Sequence, residues 1–393
     1  MKIALVSPYD FAHPGGVSRH IANLERCFTQ RGHEVKVIAP ASKKVDEFGD
    51  RFIRIGRPFA IPASDSVVRV PLSPHLAPAI KEVMAREKFD VVHLHEPFMP
   101  MLCSAVLRFS NTVNVGTFHA AQGKPGYNFG KPVSTWMLRR RARKLHGHIA
   151  VSNPAMKYHN TYVPALYTII PNGVDVHYFR PDVKPMEQYM DGKLNIVFIG
   201  RLEYRKGANY LLKAFVEVKR QMPNTRLLIC GPGTRLRKRY EDWVRKSRLE
   251  DVVFTGMVSH EDLPRYYRTA DVFCAPNTGH ESFGLILVEA MATGRPVVAS
   301  YIDGFAAVIT HGEEGLLVPP ANAHALAEAL LLLLNDAPRR ERMGRKGLIT
   351  AQKYDWEGIA DRLLDYYQRT IDEVRRGAVP GQSPSTSPGK AAT

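Results

Sequence analysis

Two carboxylates frame the chemistry this chain can perform. Glu281 and Glu289 are separated by seven mostly apolar residues, Ser282 to Val288. Eight positions span about two helical turns, so a helix beginning at Glu281 would carry both carboxylates on one face. Ser282, Phe283 and Gly284 read as a turn into a helix N-terminus, where free backbone N–H groups favour anions. A carboxylate beside such a site suits a ligand that is phosphorylated at one end and hydroxylated at the other, as a nucleotide-sugar is. Two surface glutamates on an ordinary helix are the plain alternative. The Gly279-His280 pair ahead of the motif and the run from Ala290 through Gly294 to Ala299 behind it argue against that alternative.

A cationic turn supplies the second signal. Gly200, Arg201, Arg205, Lys206 and Gly207 follow an apolar run and open a helical one. Arginine holds phosphate by bidentate hydrogen bonds and lysine as a point charge. Cations fixed where a nucleoside diphosphate departs lower the barrier electrostatically without a metal. Gly15 and Gly16 follow the first apolar run, but the spacing departs from the dinucleotide fingerprint. A glycine pair there still lets a ligand approach the backbone. His119 ends another apolar run, at the strand end where open α/β sheets bind ligands. His93 and His95 lie two apart with no matching third metal ligand, and they read as core and rim polar groups. The densest basic run, Arg139 to Lys144 behind Trp136, is either a solvated helix face or a contact for an anionic bilayer. Arg235 to Arg239 is a similar run, either solvent-facing or near phosphate.

These groups need a scaffold, and its pattern is legible. The chain has 393 residues, too many for one ordinary core. Apolar runs at 2–7, 34–39, 90–94, 114–118 and 147–152 alternate with helical segments such as 17–31, which indicates a parallel sheet covered on both faces. The arrangement repeats with strands at 194–200, 226–230, 252–255, 272–275, 296–300 and 315–318 and helices at 207–221 and 322–334. Polar residues 180–192 read as the linker. The expected domains are therefore 1–180 and 181–355. A terminal helix at 356–376 has Trp356, Ile359, Ala360, Leu363, Tyr367, Ile371 and Val374 on one face, and belongs with the first domain. A tail at 377–393 is too polar and Pro-rich to bury a core and is expected to be disordered. The four cysteines are scattered without a CxxC pair, as in a reducing cytoplasm without structural zinc. No charged-then-apolar leader and no apolar run of about 20 residues is read. The net charge of +16 calls for an anionic partner: nucleic acid, acidic lipid or phosphorylated substrate.

Together these motifs resemble glycosyltransferase family 4, retaining enzymes of the GT-B fold. The likeness extends to about residue 375. It runs through the segments at Ser7–Val17, Asp90–Pro97, Thr117–His119, Ile170–Asp175, Gly200–Gly207, Ala270–Pro276 and Glu281–Ala292. The resemblance implies two Rossmann-like domains facing a cleft, with the terminal helix crossing back to the first. It implies transfer of a hexose from a nucleotide-sugar, above all mannose from GDP-mannose, to a lipid such as phosphatidylinositol. Gly16 would approach the donor diphosphate, and Arg201, Arg205 and Lys206 would hold its phosphates. Glu281, Ser282, Phe283, Gly284 and Leu285 would contact sugar and diphosphate, Glu289 the ribose, and Val258, Ser259 and His260 the base. His119 would hydrogen-bond the sugar and, with Glu281, support catalysis. Tyr9, Ser18, Ser64 and Arg69 would meet the inositol phosphate. No protein-bound metal is implied; Mg2+ enters at most as the nucleotide's counterion. The enzyme would be cytoplasmic and peripheral on the inner, anionic face of the membrane.

Other classes fit less well. A UDP-sugar-dependent enzyme acting on diacylglycerol, another lipid or a soluble sugar shares every motif. A nucleotide-sugar epimerase would need no acceptor-side groove. Nucleic-acid binding has only the charge behind it, since no zinc-finger, RNP or helix-turn-helix signature is present.

Overall fold

The computed structural model describes residues 1–13, 15–63, 66–121, 131–233, 235–279 and 281–377. The chain divides into two compact units: Met1–Pro171 with the segment from Ile359 onward, and Asn172–Gly358. The tail expected to be disordered lies, from residue 378, outside the described residues.

Unit 1 is built on a parallel sheet of seven described strands. They are β1 (Lys2–Val6), β2 (Glu34–Ala39), β3 (Phe52–Arg54), β6 (Val91–His95), β7 (Val113–Phe118), β8 (Gly147–Ala150) and β9 (Thr168–Ile169). Their order is β3-β2-β1-β6-β7-β8-β9. Ile3, Ala4, Leu5 and Val6 are all fully buried, as expected where helices cover both faces of a parallel sheet. The helix Gly16–Gln30 packs on it through Ile21, Leu24, Cys27 and Phe28, spaced by three and four. Two further strands, β4 (Pro58–Ala63) and β5 (Ser66–Pro71), pair antiparallel as a separate hairpin. Pro58, Pro62 and Pro71 hide it from sequence reading, because proline removes a ladder donor and is confined to edges.

The terminal helix Trp356–Arg375 joins unit 1 from Ile359 on. Ile359, Ala360, Leu363, Tyr367 and Ile371 are buried, as the stripe predicts. Tyr367 shares a hydrogen bond between its hydroxyl and His93 Nδ1 at 2.5 Å and meets the Phe28 ring edge-on at 5.8 Å. Tyr366 OH accepts from the His148 backbone N–H at 2.9 Å. Its ring fills the space a side chain at Gly147 would need, since a Cβ there would come within 2.7 Å.

His148 itself is buried between this helix and Phe118, whose ring lies parallel to it at 6.3 Å. Burial, with the neighbouring His146, pushes its pKa down to about 4. The unfolded chain titrates near 6.5 and therefore binds more protons between pH 6.5 and 4. Stability falls as pH falls through that window, at a limiting ~1.4 kcal/mol per unit. Chemical denaturation should show a loss of about 2 kcal/mol from His148 between pH 7 and 5. His148→Phe should flatten this part of the pH dependence, and an unchanged slope would show that the group does not act as described.

Unit 2 repeats the plan with six described parallel strands. They are β10 (Leu194–Ile199), β11 (Thr225–Cys230), β12 (Val252–Gly256), β13 (Val272–Ala275), β14 (Val297–Ser300) and β15 (Gly315–Val318), ordered β12-β11-β10-β13-β14-β15. Ala208–Gln221 and the apolar Ala323–Leu334 pack on one face through Leu211, Phe215, Leu326 and Leu330. The segment expected to be a linker, 180–192, lies inside this unit. Met186 and Tyr189 pack on its core, and the Arg226 guanidinium sits over the Tyr189 ring at 5.4 Å while pairing with Asp191. A polar, proline-containing stretch reads as linker when only a few of its side chains anchor it. All four cysteines are buried free thiols. Among the described residues no helix is long and apolar enough to cross a membrane.

Candidate active site

In each sheet the chain order reverses once, and the strand ends at such a reversal are where open α/β sheets bind ligands. In unit 2 the reversal falls between β10 and β13. The loop after β10 carries Gly200 to Gly207 and the loop after β13 carries Pro276 to Gly284. The two loops dock on each other. Thr278 N–H donates to the Arg205 carbonyl at 2.8 Å. Gly207 adopts φ +72°, and a Cβ there would lie 1.8 Å from the Pro276 carbonyl oxygen. Only glycine permits both the turn and the approach.

This docking brings the two sequence motifs together. Glu281 Oε2 accepts from Lys206 Nζ at 2.6 Å, from Asn277 Nδ2 at 2.8 Å and from Arg205 Nη1 at 3.4 Å. Glu203 bridges the other cations, with Arg205 Nε at 2.9 Å and Arg201 Nε at 3.2 Å on its two oxygens. Among the described residues three cations, Arg201, Arg205 and Lys206, thus face two carboxylates, Glu203 and Glu281. The Lys206 and Glu281 side chains are only 11% and 22% exposed, so the local dielectric is well below that of water and the charges act strongly. Asn277 stands outside the quoted motifs, and Glu203 lies within the Gly200–Gly207 motif but was passed over because the reading there followed the cations. Asn277 was findable as the polar residue two after an apolar strand.

Glu281 and Glu289 do not share a helix face. Gly284 takes φ +97° and caps the helix Leu285–Ala292, so Glu281 precedes the helix and Glu289 lies within it. Glu289 is buried and accepts from Tyr267 OH at 2.6 Å. Phe283 is buried and anchors the loop. Gly304 lets the Glu281 carbonyl pass at a distance where a Cβ would be 2.2 Å away. Leu285 is partly buried at the start of the helix. Val258, Ser259 and His260 follow β12. Ser259 Oγ donates to Asp262 at 3.0 Å, and His260 Nδ1 is 2.8 Å from Tyr178 OH. In the second basic run, Arg239 donates to Tyr204 OH at 3.0 Å and Arg237 pairs with Glu241.

In unit 1 the reversal falls between β1 and β6. Tyr9, Gly16 and Ser18 follow β1, and a Cβ at Gly16 would meet nothing within 4 Å. Ser18 is buried on its helix. Asp10 N–H donates to the Arg69 carbonyl at 2.9 Å, which ties the hairpin strand β5 to the same loop as Tyr9. Burial pulls the Asp10 carboxyl up, but hydrogen bonds from Ser42, Ala12 N–H and nearby His13 prevail and hold it below the usual range. Ser64 lies outside the described residues.

His119, just past β7, places Nε2 3.0 Å from His95 Nδ1. Its backbone N–H and that of Ala120 both donate to Glu96 Oε1 at 2.8 Å. Glu96 is buried with φ +51°, an uncommon conformation for a side-chain-bearing residue, and such strain collects at functional sites. It fixes the backbone that carries His119, and its place at a strand end was the available signal. His95 is fully buried, not at a rim as expected from sequence. Burial, then neighbouring His93, His20 and His119, keeps its pKa well below normal, and burial brings His93 down to about 3.

Residues 14–178 match Glycosyltransferase Family 4, and residues 182–350 match Glycosyl transferases group 1. The phosphatidyl-myo-inositol mannosyltransferase of Mycobacterium tuberculosis H37Rv is 37% identical over 373 residues, covering 94% of this chain and 97% of that relative. The chain belongs to glycosyltransferase family 4. A second relative of the same name, from Propionibacterium freudenreichii, is 32% identical and covers 99% and 98% of the two chains. Solved structures agree on the fold. Sucrose-phosphate synthase from Thermosynechococcus elongatus superposes with a TM-score of 0.73 at 24% identity over 94% of this chain and 99% of that one. A glycosyltransferase from Rickettsia africae reaches 0.75 at 19% identity over 94% and 98%. The two parallel-sheet units are those of a GT-B glycosyltransferase, and the family 4 motifs sit at the strand ends where that fold holds ligands.

Proposed function

We propose that this family 4 glycosyltransferase moves mannose from GDP-mannose onto phosphatidylinositol with retention at the anomeric carbon. The observation that carries the transferase reading is the Glu281 carboxylate held by Lys206, Arg205 and Asn277 at the strand-order reversal of unit 2. The mannose and inositol lipid are supported by relatives named phosphatidyl-myo-inositol mannosyltransferase. A nucleotide donor is supported by the Anabaena Alr3699/HepE structure described in complex with UDP, which shares the fold.

Unit 2 binds the donor. Arg201, Arg205 and Lys206 hold the diphosphate beside the backbone N–H groups of Ser282 to Gly284, Glu289 takes the ribose, and Val258 to His260 border the base. As the anomeric bond loosens, the departing diphosphate gains negative charge and the fixed cations stabilise it. Mg2+ takes part only as the nucleotide's counterion. Glu281 orients the sugar hydroxyls and balances the oxocarbenium-like charge. The acceptor hydroxyl attacks from the leaving-group face, and a diphosphate oxygen takes its proton. Unit 1 supplies Gly16 near the diphosphate, His119 as hydrogen-bonding partner of the sugar, and Tyr9, Ser18, Ser64 and Arg69 for the inositol phosphate.

The helix Lys131–Ala142 gives unit 1 a membrane-facing surface. Trp136 is 60% exposed, with the Arg140 guanidinium 5.7 Å from its ring centroid. Trp136, Arg140, Arg141, Lys144, Arg108 and Met101 line a groove of about 800 Å3. Basic residues contribute roughly 1 kcal/mol each near an anionic leaflet, and an interfacial tryptophan adds an apolar anchor. The enzyme is therefore peripheral on the anionic cytoplasmic face.

A thermal-shift screen of GDP- and UDP-sugars, followed by transfer assays on vesicles, tests this reading. GDP-mannose should stabilise the protein most. Mannose should reach phosphatidylinositol with the anomeric configuration kept, faster as the vesicles become more anionic. Preference for a UDP-sugar with diacylglycerol, an inverted product, or donor turnover without acceptor would each reject it.

A further inference from the structure

One cavity of unit 2 lies away from every motif used so far. It holds about 350 Å3 and is lined by four arginines, Arg268, Arg295, Arg340 and Arg345, against two carboxylates, Asp271 and Glu341. Asp271 comes just before β13 and Arg295 two residues before β14, so the cavity sits at the amino ends of these strands. The loops that carry Lys206 and Glu281 leave the opposite, carboxyl ends of the sheet, on the order of 15 Å away along β13. The carboxylates are largely engaged elsewhere. Glu341 pairs with Arg345 at 3.7 Å, both exposed, and Asp271 accepts from the Asn195 backbone N–H at 2.7 Å.

Arg268, Arg295 and Arg340 are half-buried, and among the described residues their hydrogen bonds go to backbone carbonyls rather than to carboxylates. Arg268 Nη1 donates to the Thr293 carbonyl at 3.2 Å and Arg295 Nη2 to the Arg268 carbonyl at 2.5 Å. Arg340 Nη1 donates to the Leu333 and Leu334 carbonyls, both at 2.7 Å. These bonds hold the guanidiniums in place and neutralise none of them. Arg268 Nε and Arg295 Nε are buried with no hydrogen-bond partner, and a native protein rarely leaves such donors unused. On Arg268 the edge formed by Nε and Nη2, which grips an oxyanion through two parallel bonds, is therefore unspent. The cations also repel one another. Burial, then Arg268, with a smaller push from Arg340, brings the Arg295 guanidinium down to about 10 against the pull of Asp271. Burial lowers Arg268 as well, opposed by Asp182, which itself pairs with Arg180 at 3.2 Å. Like charges held together in a half-buried place cost free energy that a multivalent anion recovers.

We propose that Arg268, Arg295 and Arg340 form a second anion site, for a small soluble phosphorylated ligand, at the end of unit 2 opposite the donor loops. A phosphoryl group brings up to two negative charges and three acceptor oxygens to three planar forks. A carboxylate brings one charge and two oxygens and leaves the cluster under-compensated.

The test titrates the full chain with inorganic pyrophosphate by calorimetry at fixed ionic strength. Lys206→Ala serves as background, because it removes a cation of the donor loops. That protein should still bind one equivalent of pyrophosphate. Adding Arg268→Gln or Arg340→Gln should weaken this binding by at least about 10-fold, the worth of a charge-assisted hydrogen bond. Adding Arg375→Gln, at an exposed position in the other unit, should leave it unchanged. Equal thermal midpoints without anion guard against misfolding, and Arg268→Gln, which gives up a single carbonyl contact, is the variant best able to fold. Vesicles of phosphatidylglycerol should not displace pyrophosphate from the Lys206→Ala protein. No binding to that protein, an affinity unchanged in the folded arginine variants, or displacement by the vesicles each overturns the site. Binding is read without any transfer assay, so the result is independent of the proposed reaction.

Discussion

Glu281→Ala is expected to lower kcat for hexosyl transfer by roughly 100- to 1,000-fold while leaving nucleotide affinity unchanged or tighter. The reason is the charge balance of the loop pair. Lys206 and Arg205 now share the Glu281 oxygen with Asn277. Removing the carboxylate frees both cations for the donor's phosphates, so ground-state binding of GDP does not suffer. The loss falls on the transition state, where the sugar needs its hydroxyls oriented and its positive charge balanced. Lys206→Ala should behave differently, with GDP affinity and kcat falling together. Calorimetric titration with GDP beside steady-state kinetics separates the two patterns. Near wild-type turnover in both variants would remove these residues from the mechanism. Trapping of a glycosylated Glu281 would instead favour a double displacement.

Gly207→Ala should destabilise unit 2 by at least about 3 kcal/mol. Two costs combine there: a left-handed φ of +72°, and a Cβ driven to 1.8 Å from the Pro276 carbonyl oxygen. That contact is backbone on backbone, so no side chain can swing away. Gly192→Ala is the control, since Gly192 has φ +89° but nothing within 4 Å of its Cβ position. It should cost only the roughly 1–2 kcal/mol of the strained backbone. Urea denaturation of the pair isolates the steric part, and equal losses would mean that the two loops are not docked as described. A folded Gly207→Ala protein should also bind GDP poorly, because the turn that carries Arg205 and Lys206 would be pushed away from the Pro276 backbone and both cations displaced with it.

The two motifs that meet in unit 2 were legible because each is local. Gly200 to Gly207 and Glu281 to Glu289 each announce themselves within a few residues, next to apolar strands of the expected type. Strand positions held to within a residue or two for the same reason: fully buried parallel strands are written as continuous apolar runs. What sequence reading missed depends on distant partners or on single torsion angles. His20, His95 and His119 meet only through strand order. The left-handed Gly284 separates Glu281 from the helix that carries Glu289, and no propensity reveals that angle. The hairpin β4–β5 was obscured by prolines that also make it an edge.

The pairing of Tyr367 with His93, and of Tyr366 with Gly147 and His148, has a consequence for biosynthesis. The amino-terminal sheet is covered by a helix translated only after the whole of Asn172–Gly358. Its hydrophobic seam around Phe28 must wait uncovered on the ribosome while the later-made unit is free to fold first, which inverts the usual vectorial order. Nascent chains stalled before Trp356 should therefore expose protease sites in the amino-terminal half, and protection should appear only once the helix Trp356–Arg375 has emerged.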